Sequence, residues 1–350
     1  MSVRDPPDPD DPIDYFKEEM RLGGMAPESV RNYDHALAYL EEFLDERDQE
    51  AGDLTERDCK EVCTYLKDAP ALSQTTAGDY ARYISKFYEF YNTRGTYEVN
   101  PMALALETEK FENDTSGMRR EISVGEMAEY LTTIDHPLDH TLTLTLAKTG
   151  ARAAEVSNLD ARDLYIDHAG IQREYPRHRT VLDGRPDSLY IPPADEMREG
   201  KVVNGEERTA SNKRKRGTII PIDDELKQVL IHWLAIRTPS ESPAVPVFTI
   251  PIGRGNADLG GRLTPEALLH RVKRHAEEYG WWHQGAGVET NVTPHYFRHF
   301  FTTHMRERTK DDAFVKFIRG DVGGDIIETY SHAWGDKVET TYRKNIYKLL

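Results

Sequence analysis

Amphipathic helical patterning runs through most of this chain and limits its fold more than any other feature. Across residues 13–95, apolar residues recur every three or four positions in four separate stretches, which is the spacing of one helix face. Gly23 follows the first stretch, Pro27 opens the second, and Thr55 and Ser73 stand where N-caps of the third and fourth would lie. The pattern predicts a compact bundle of four short helices whose apolar stripes form a core.

A charged stretch without helical periodicity separates this bundle from the rest of the chain. Asn100-Pro101 is predicted to end the helical region. Residues 107–120 are predicted to form a linker, with the domain boundary near residue 115. The capping-box pattern that begins at Ser123 then starts a second helical region.

The second region mixes helical patterns with short apolar runs of β type. Helices are predicted around residues 124–133, 137–148, 152–158, 223–237, 265–279 and 295–307, and over most of 311–348. Between residues 163 and 222, the apolar runs alternate with turn residues such as Asp183-Gly184 and Asn204-Gly205, which predicts a small antiparallel sheet with long connections. The predicted fold class is therefore mainly α with a small antiparallel β-sheet.

The composition is typical of a two-domain globular protein. The chain has 350 residues, of which 38% are hydrophobic, and a domain commonly holds roughly 150 residues. No apolar run approaches the ~20 residues that a membrane-spanning helix needs. Residues 1–12 are acidic and rich in proline, unlike a signal peptide, so we expect a disordered tail and a cytoplasmic protein without membrane contacts.

Cysteine content and charge bear on the kind of site. Cys59 and Cys63 lie four positions apart on a predicted helix. No other Cys and no nearby His completes the roughly four ligands of a zinc site, so we expect reduced thiols on or near a helix face.

The net charge of −16, taken alone, disfavours nucleic-acid binding, because phosphate binding needs positive charge. The basic residues are clustered, however, and charge distribution counts for more than the sum.

The residues that indicate chemistry lie in three polar segments. His295 and Arg298 are three positions apart and would share one face of a helix. Tyr330 follows in a second segment, and Arg152 and Glu155 lie far upstream in the run Thr-Gly-Ala-Arg-Ala-Ala-Glu. Two arginines, a histidine and a tyrosine that converge would suit chemistry on a phosphate, with tyrosine as the nucleophile.

In this order, the motifs resemble those of the tyrosine recombinase, or phage integrase, family over nearly the whole chain. The resemblance implies a helical core-binding (SAM-like) DNA-binding domain at residues 13–106 and an α+β catalytic domain of tyrosine recombinase type at 121–350. It implies a site-specific recombinase that cuts and rejoins double-stranded DNA through a 3′-phosphotyrosine, without metal, ATP or another cofactor. Recombination between two duplexes further implies a homotetramer on DNA during synapsis.

The family motif also implies a role for each matching residue. Arg152 and Arg298 match the two arginines that stabilise transition-state charge on the phosphate, and Glu155 matches the acidic residue that orients the first of them. His295 matches the histidine, whose imidazole can accept a proton or donate a hydrogen bond to a phosphate oxygen.

The resemblance also identifies a nucleophile and a general acid. Tyr330 matches the nucleophile, whereas Tyr342 and Tyr347 are predicted to be packing residues. Lys213, shortly before an expected strand at residues 218–221, resembles the hairpin lysine that protonates the leaving 5′ oxygen. Lys215 stays open as an alternative general acid.

One position departs from the family pattern. Asp321 lies nine residues before Tyr330, where the family usually has His or Trp. A carboxylate there would repel the phosphate unless it is paired, for example with Arg319 or Arg298. The usual role of this position, a hydrogen bond to the phosphate, is therefore in question.

Other basic and hydroxyl side chains are candidate DNA contacts, with ordinary solvated surface residues as the alternative. They are Arg31, Thr75, Thr76, Arg82 and Lys86 in the N-terminal bundle and Arg214, Arg216, Arg271, Lys273 and Arg274 in the second domain. Phosphate contacts of this kind would position the protein on DNA.

Two other functions share most of these features. A type IB-like topoisomerase would use the same chemistry without exchanging partners, and a catalytically weakened DNA-binding member of the family would explain Asp321. We also expect the last helix, residues 337–350, to be able to pack onto a neighbouring protomer.

Overall fold

The structure, a computed structural model, describes residues 11–25, 27–112, 119–253, 258–287, 289–321 and 334–350. The chain divides into two compact units, one reaching Met118 and the other starting at Arg119. The first ten residues of the predicted tail and the middle of the predicted linker lie outside the described residues.

The described part of the N-terminal unit is a bundle of five α-helices. They are α1 (Pro12–Leu22), α2 (Pro27–Arg47), α3 (Glu56–Asp68), α4 (Gln74–Thr93) and α5 (Pro101–Thr108). Thr55 and Ser73 are the N-caps of α3 and α4, as predicted. The predicted apolar stripes are confirmed as core, because Leu37, Phe43 and Ile84 have no exposed surface.

The prediction that Asn100-Pro101 ends the helical region is wrong. The Asn100 side chain accepts a hydrogen bond from the N–H of Ala103 and caps α5, and Pro101 occupies its first turn. Asparagine is a favoured N-cap and proline fits the first helical position, so this dipeptide is also a helix start. The bundle therefore gains a fifth helix.

Both cysteines lie on α3 as free, buried thiols. Burial raises the pKa of the Cys63 thiol to about 11, and it raises the pKa of the Cys59 thiol further. Both side chains are fully buried in the core of the bundle, and the raised pKa values favour the protonated thiols.

The second unit carries the remaining helices. They are α6 (Val124–Thr132), α7 (Pro137–Thr149), α8 (Ala153–Ser157), α9 (Ala169–Glu174), α10 (Asp224–Ile236), α11 (Pro265–Glu278), α12 (Pro294–Thr309), α13 (Asp312–Arg319) and α14 (Thr340–Asn345), with a π-helical turn at Trp334–Glu339. All except the short α9 lie within predicted helical stretches, give or take two residues. No helix in the described ranges is long and apolar enough to cross a lipid bilayer.

The predicted antiparallel sheet is confirmed. Strands β1 (Leu164–Tyr165), β2 (Ser188–Ile191) and β5 (Thr218–Pro221) pair in the order β1-β2-β5. Strands β3 (Val202–Val203) and β4 (Glu206–Glu207) form a separate hairpin within the β2–β5 connection. The sheet matters for the site because the segment that carries Lys213 leads directly into β5.

The C-terminal residues pack on their own unit, while the expectation that residues 337–350 can contact a neighbouring protomer stays a prediction. Tyr342 and Tyr347 have no exposed surface, and their hydroxyls donate to the carbonyls of Lys148 and Ala147. The buried Lys148 ammonium in turn donates to the Tyr347 carbonyl at 2.6 Å and to Asp223 at 2.7 Å. Both tyrosines are thus confirmed as packing residues.

Candidate active site

A left-handed glycine places Arg152 at the start of α8. Helix α7 ends at Gly150, whose φ is 61°, and a Cβ there would lie 2.6 Å from a ring carbon of Phe301. The chain then turns so that the backbone N–H of Arg152 donates to Glu155 at 2.9 Å. Arg152 Nη1 donates to the other oxygen of the same carboxylate at 3.1 Å, and Glu155 is fully buried. The two residues predicted to act together are therefore in contact.

Arg298 lies on the buried face of α12, and its side chain is only 2% exposed. Nη1 donates to the carbonyl of Gly150 at 2.7 Å, and Nη2 donates to the carbonyl of Arg319 at 3.0 Å. Burial, followed by the charge of Arg152, lowers the pKa of Arg298 to about 10. The guanidinium is thus fixed between two backbone carbonyls, beside the α7–α8 turn.

The carboxylate of Asp321 joins the arginines. Its Oδ1 accepts from Arg152 Nη2 at 2.9 Å and from Arg298 Nη2 at 2.6 Å, and its Oδ2 lies 2.7 Å from Arg319 Nη2. Burial alone would raise the pKa of Asp321, but Arg298, Arg319 and Arg152 together hold it below its ordinary value. The predicted pairing with Arg298 and Arg319 is confirmed, and Arg152 is a third partner that we did not predict.

Arg214 is buried, so the prediction that it contacts DNA is wrong: its side chain has no exposed surface from which to reach a phosphate. Its Nη1 donates to the carbonyl of Ile318 at 2.9 Å, and its Nε lies 3.2 Å from Glu155 Oε1. It also packs against Gly320, where φ is 71° and a Cβ would lie 2.7 Å from Arg214 Nη1. Arg214 therefore links its own loop to Glu155 and to the end of α13.

Burial alternates along this loop, although its residues are all polar and the sequence shows no alternation. Asn212 and Arg214 are buried, whereas Lys213 and Lys215 are exposed, which is the period of two of an extended segment. Asn212 donates to the carbonyl of Pro192 at 2.8 Å. Lys213 is thus held in place by a buried residue on each side, and Lys215 shares its exposed face.

His295 lies in the first turn of α12, and its side chain remains accessible to solvent. Partial burial, followed by the charges of Arg119, Arg298 and Arg152, lowers its pKa. Arg119 is a neighbour of the site that we did not predict. The adjoining Arg120 is tied to α12, because Tyr296 donates its hydroxyl hydrogen to the Arg120 carbonyl at 2.7 Å.

Tyr330, the predicted nucleophile, lies outside the described residues. The described chain stops at Asp321, within the arginine cluster, and resumes at Trp334.

The candidate DNA contacts of the N-terminal unit lie on α2 and α4. They are Arg31, Thr75, Thr76, Arg82 and Lys86. Two of them form exposed ion pairs on their own helix: Arg82 with Asp79 at 2.6 Å and Lys86 with Glu89 at 2.5 Å. Such pairs contribute only about 0.2–1 kcal/mol, so a phosphate could replace the carboxylate at little cost.

The basic residues of α11 make different contacts. Arg271 and Arg274 each lie 2.7 Å from the buried carboxylate of Asp139, although the side chain of Arg274 is 54% exposed. The ammonium of Lys273 lies 3.7 Å above the ring of Trp282. Arg216, in the Lys213 loop, is exposed. These four residues remain predicted DNA contacts. Arg271 is the least available of them, because its side chain is mostly buried and pairs with Asp139.

The geometry suits an anion with several oxygens. Three guanidiniums surround one carboxylate, a histidine of lowered pKa lies nearby, and preorganised donors of this kind stabilise charge that develops on a phosphate. Among the described residues, no group of His, Cys, Asp and Glu could hold a metal ion.

Two family models match the chain. The model of the phage integrase family matches residues 195–334, a range that includes Lys213, His295, Arg298 and Tyr330. The model of the phage integrase SAM-like domain matches residues 12–103. Arg152 lies between the two matched ranges.

The chain is similar to several tyrosine recombinases XerC. The one from Vibrio vulnificus (strain YJ016) is 21% identical over 326 residues, which cover 92% of this chain and 86% of that protein. The one from Actinobacillus succinogenes is 27% identical over 120 residues, which cover 34% of this chain and 36% of that protein.

Solved structures share the fold. The Tn1549 transposon integrase in complex with transposon right end DNA has a TM-score of 0.64 at 15% identity, covering 94% of this chain and 97% of that chain. A lambda integrase dimer bound to a COC′ core site has a TM-score of 0.59 at 12% identity, covering 88% and 93%. Two family models, relatives over most of the length and a shared fold agree: the chain belongs to the phage integrase family of tyrosine recombinases.

Proposed function

We propose that this chain is a site-specific DNA recombinase that cuts and rejoins double-stranded DNA through a 3′-phosphotyrosine formed by Tyr330. The observation that carries the proposal is the convergence of Arg152 and Arg298, which lie on different helices and donate to the same oxygen of Asp321. Two guanidiniums that share one anionic oxygen are placed to share a phosphate oxygen as well.

The reaction assigns each residue one step. The Tyr330 oxygen attacks the scissile phosphorus and its proton passes to His295, while the bond from phosphorus to the 5′ oxygen breaks. Lys213 donates a proton to the departing 5′ oxygen, which leaves as a hydroxyl. Arg152 and Arg298 stabilise the charge of the pentacoordinate transition state, and Glu155 orients Arg152. A 5′-hydroxyl of the partner strand then reverses these steps, so neither metal nor ATP is consumed.

The DNA partner and the assembly follow from the same proposal. Related integrases have been captured on DNA, and lambda integrase as a tetramer on a Holliday junction. We infer that residues 13–106 form a DNA-binding domain, residues 121–350 form the catalytic domain, and four protomers assemble at synapsis. A DNA substrate also supports our expectation of a cytoplasmic protein.

A second candidate function is that of a catalytically weakened, DNA-binding member of the family. It is favoured by the Asp321 carboxylate, which pairs with both Arg152 and Arg298.

Covalent attachment to DNA tests the nucleophile. The full chain is incubated with a pool of nicked duplexes of randomised sequence, and adducts that survive denaturing detergent are isolated and sequenced. Wild type should form adducts, and Tyr330→Phe should form none above background, because phenylalanine lacks the attacking oxygen.

The rates of adduct formation by Lys213→Ala and Lys215→Ala are compared on the selected duplex. The lysine whose replacement lowers the rate more is the general acid. Absence of adducts in wild type together with tight DNA binding would favour the weakened DNA-binding member. Adducts that persist in Tyr330→Phe would rule out the assigned nucleophile. Relaxation of supercoiled plasmid without strand exchange would instead indicate the topoisomerase.

The lowered pKa of His295 predicts where activity declines in acid. Its ordinary value is 6.5, and a base of lowered pKa stays neutral until the pH falls below that value. Adduct formation at subsaturating DNA should therefore lose rate only below pH ~6.5, where the imidazole becomes protonated. Asp321 does not titrate in this window, since its pKa is below its ordinary 3.8.

His295→Gln should be slower and should lack this acid limb. His270→Gln, which changes an exposed histidine on α11, should keep both the rate and the limb. An acid limb centred above pH ~6.5, or one retained in His295→Gln, would contradict the assignment.

A further inference from the structure

The donors of Arg298 show where a phosphate can enter the site. Nη1 and Nη2 both donate to backbone carbonyls, those of Gly150 and Arg319, and only 2% of the side chain is exposed. The remaining acceptor is Asp321, at 2.6 Å from Nη2. Since the backbone carbonyls are part of the fold, Asp321 is the contact of Arg298 that a phosphate can replace.

The Asp321 carboxylate therefore occupies a place where the arginines could bind a phosphate. One of its oxygens lies within hydrogen-bond distance of both Arg152 and Arg298, and the other is bound by Arg319. A phosphodiester also presents two anionic oxygens, which forked guanidiniums bind in the same way. The carboxylate thus stands in the place that the proposed reaction requires for the scissile phosphate.

The backbone holds Arg319 beside the Asp321 carboxylate. It is the last residue of α13, and the left-handed Gly320 turns the chain so that the backbone of Arg319 and the side chain of Asp321 both reach Arg298. Its guanidinium is half-buried and its buried Nε has no hydrogen-bond acceptor among the described residues. Burial lowers the pKa of Arg319, which marks a charge held in the site at some cost.

We propose that Arg319 is a third phosphate-binding arginine of this site, and that Asp321 is an internal substitute for the phosphate that must leave when DNA enters. Asp321 keeps three like charges together in the DNA-free protein, and the phosphodiester takes over that task. Arg319 then supplies the phosphate contact that the residue at position 321 cannot supply itself. This inference rests on the proposed function, in that the anion is taken to be the scissile phosphate.

Inorganic phosphate is the probe, because it reports on the anion position without Tyr330 or a DNA sequence. Its affinity for the full chain is measured by isothermal titration calorimetry at constant ionic strength. Asp321→Asn should bind phosphate at least about tenfold more tightly than wild type, the order of one charge-assisted hydrogen bond. The double variant Arg319→Gln/Asp321→Asn should lose that gain.

The chain offers a matched control pair. Arg306 on α12 and Asp312 at the start of α13 form an ion pair with the same charges, so Asp312→Asn and Arg306→Gln should bind phosphate as wild type does. If Asp321→Asn is less stable, the rise of its melting temperature on adding phosphate still reports binding to the folded state. On the selected nicked duplex, Arg319→Gln should slow adduct formation at least about tenfold, and Arg306→Gln should not.

Two results would overturn the inference. Asp321→Asn could bind phosphate no more tightly than Asp312→Asn, or the Arg319→Gln/Asp321→Asn variant could bind as tightly as Asp321→Asn. The proposed function fails separately: Tyr330→Phe/Asp321→Asn should bind phosphate as Asp321→Asn does, whether or not Tyr330 forms adducts.

Discussion

Arg152→Lys is expected to lower the rate of covalent adduct formation by about 10²–10³, the effect of removing one preorganised donor to a transition-state oxyanion. Lysine keeps the positive charge but not the fork, and Arg152 uses both ends of that fork: Nη1 on Glu155 and Nη2 on Asp321. Affinity for DNA should change far less than the rate. The measurement is single-turnover adduct formation on the selected nicked duplex, alongside equilibrium binding to the same duplex.

Arg162→Lys is the matched control. The Arg162 side chain is 32% exposed, against 28% for Arg152, and it also pairs with a buried carboxylate, at 3.6 Å from Asp160. The rate of adduct formation by Arg162→Lys should stay within about twofold of wild type, because a single partly exposed ion pair contributes little. Equal losses in both variants, or a loss in Arg152→Lys that appears only in DNA affinity, would remove Arg152 from the chemistry.

Arg214→Met is expected to destabilise the catalytic unit by about 3–5 kcal/mol, the usual result of breaking a buried ion pair by removing one partner. Glu155 would remain fully buried with one guanidinium fewer, and the hydrogen bond to the Ile318 carbonyl would be lost. Urea unfolding followed by tryptophan fluorescence measures this unit, since all four tryptophans follow Arg119.

Two variants separate a loss of the pair from a loss of side-chain volume. Arg216→Met, at an exposed position of the same loop, should change the free energy of unfolding by no more than about 0.5 kcal/mol. Arg214→Met/Glu155→Gln should recover part of the stability, because the buried carboxylate charge is removed together with the guanidinium of Arg214. A loss under about 1 kcal/mol for Arg214→Met would show that this pair does not hold the loop.

Local patterns were sufficient to predict most of the helices, several of their caps and the small sheet, but not α5 or α9. Thr55, Ser73 and Ser123 cap helices as predicted, because N-capping depends on residues within one turn. Asn100-Pro101 was misread because the same dipeptide both stops and starts helices, and only the packing of α5 in the bundle decides between them. Long-range packing, which leaves no mark in a short window, decided this element.

The site residues also divide into those that local sequence predicted and those that depend on long-range packing. Motif order was enough to predict Arg152, Glu155 and Arg298, and the structure brings these residues together. It was not enough to distinguish Arg214 from its basic neighbours, because burial of one arginine within a charged run depends on the distant Glu155 and Gly320. The third partner of Asp321 was missed for a related reason: one carboxylate can serve three cations only when α8, α12 and α13 meet.

The Asp321 carboxylate has a consequence for how salt acts on this protein. It carries one negative charge, and a DNA phosphodiester also carries one, so replacing the first by the second leaves the charge of the arginine cluster unchanged. Counterions accumulate around uncompensated charge, and Asp321 has already compensated one charge of this cluster before DNA arrives. Entry of the scissile phosphate should therefore release few ions from the protein, and the salt sensitivity of DNA binding should originate in the surface contacts elsewhere on the chain.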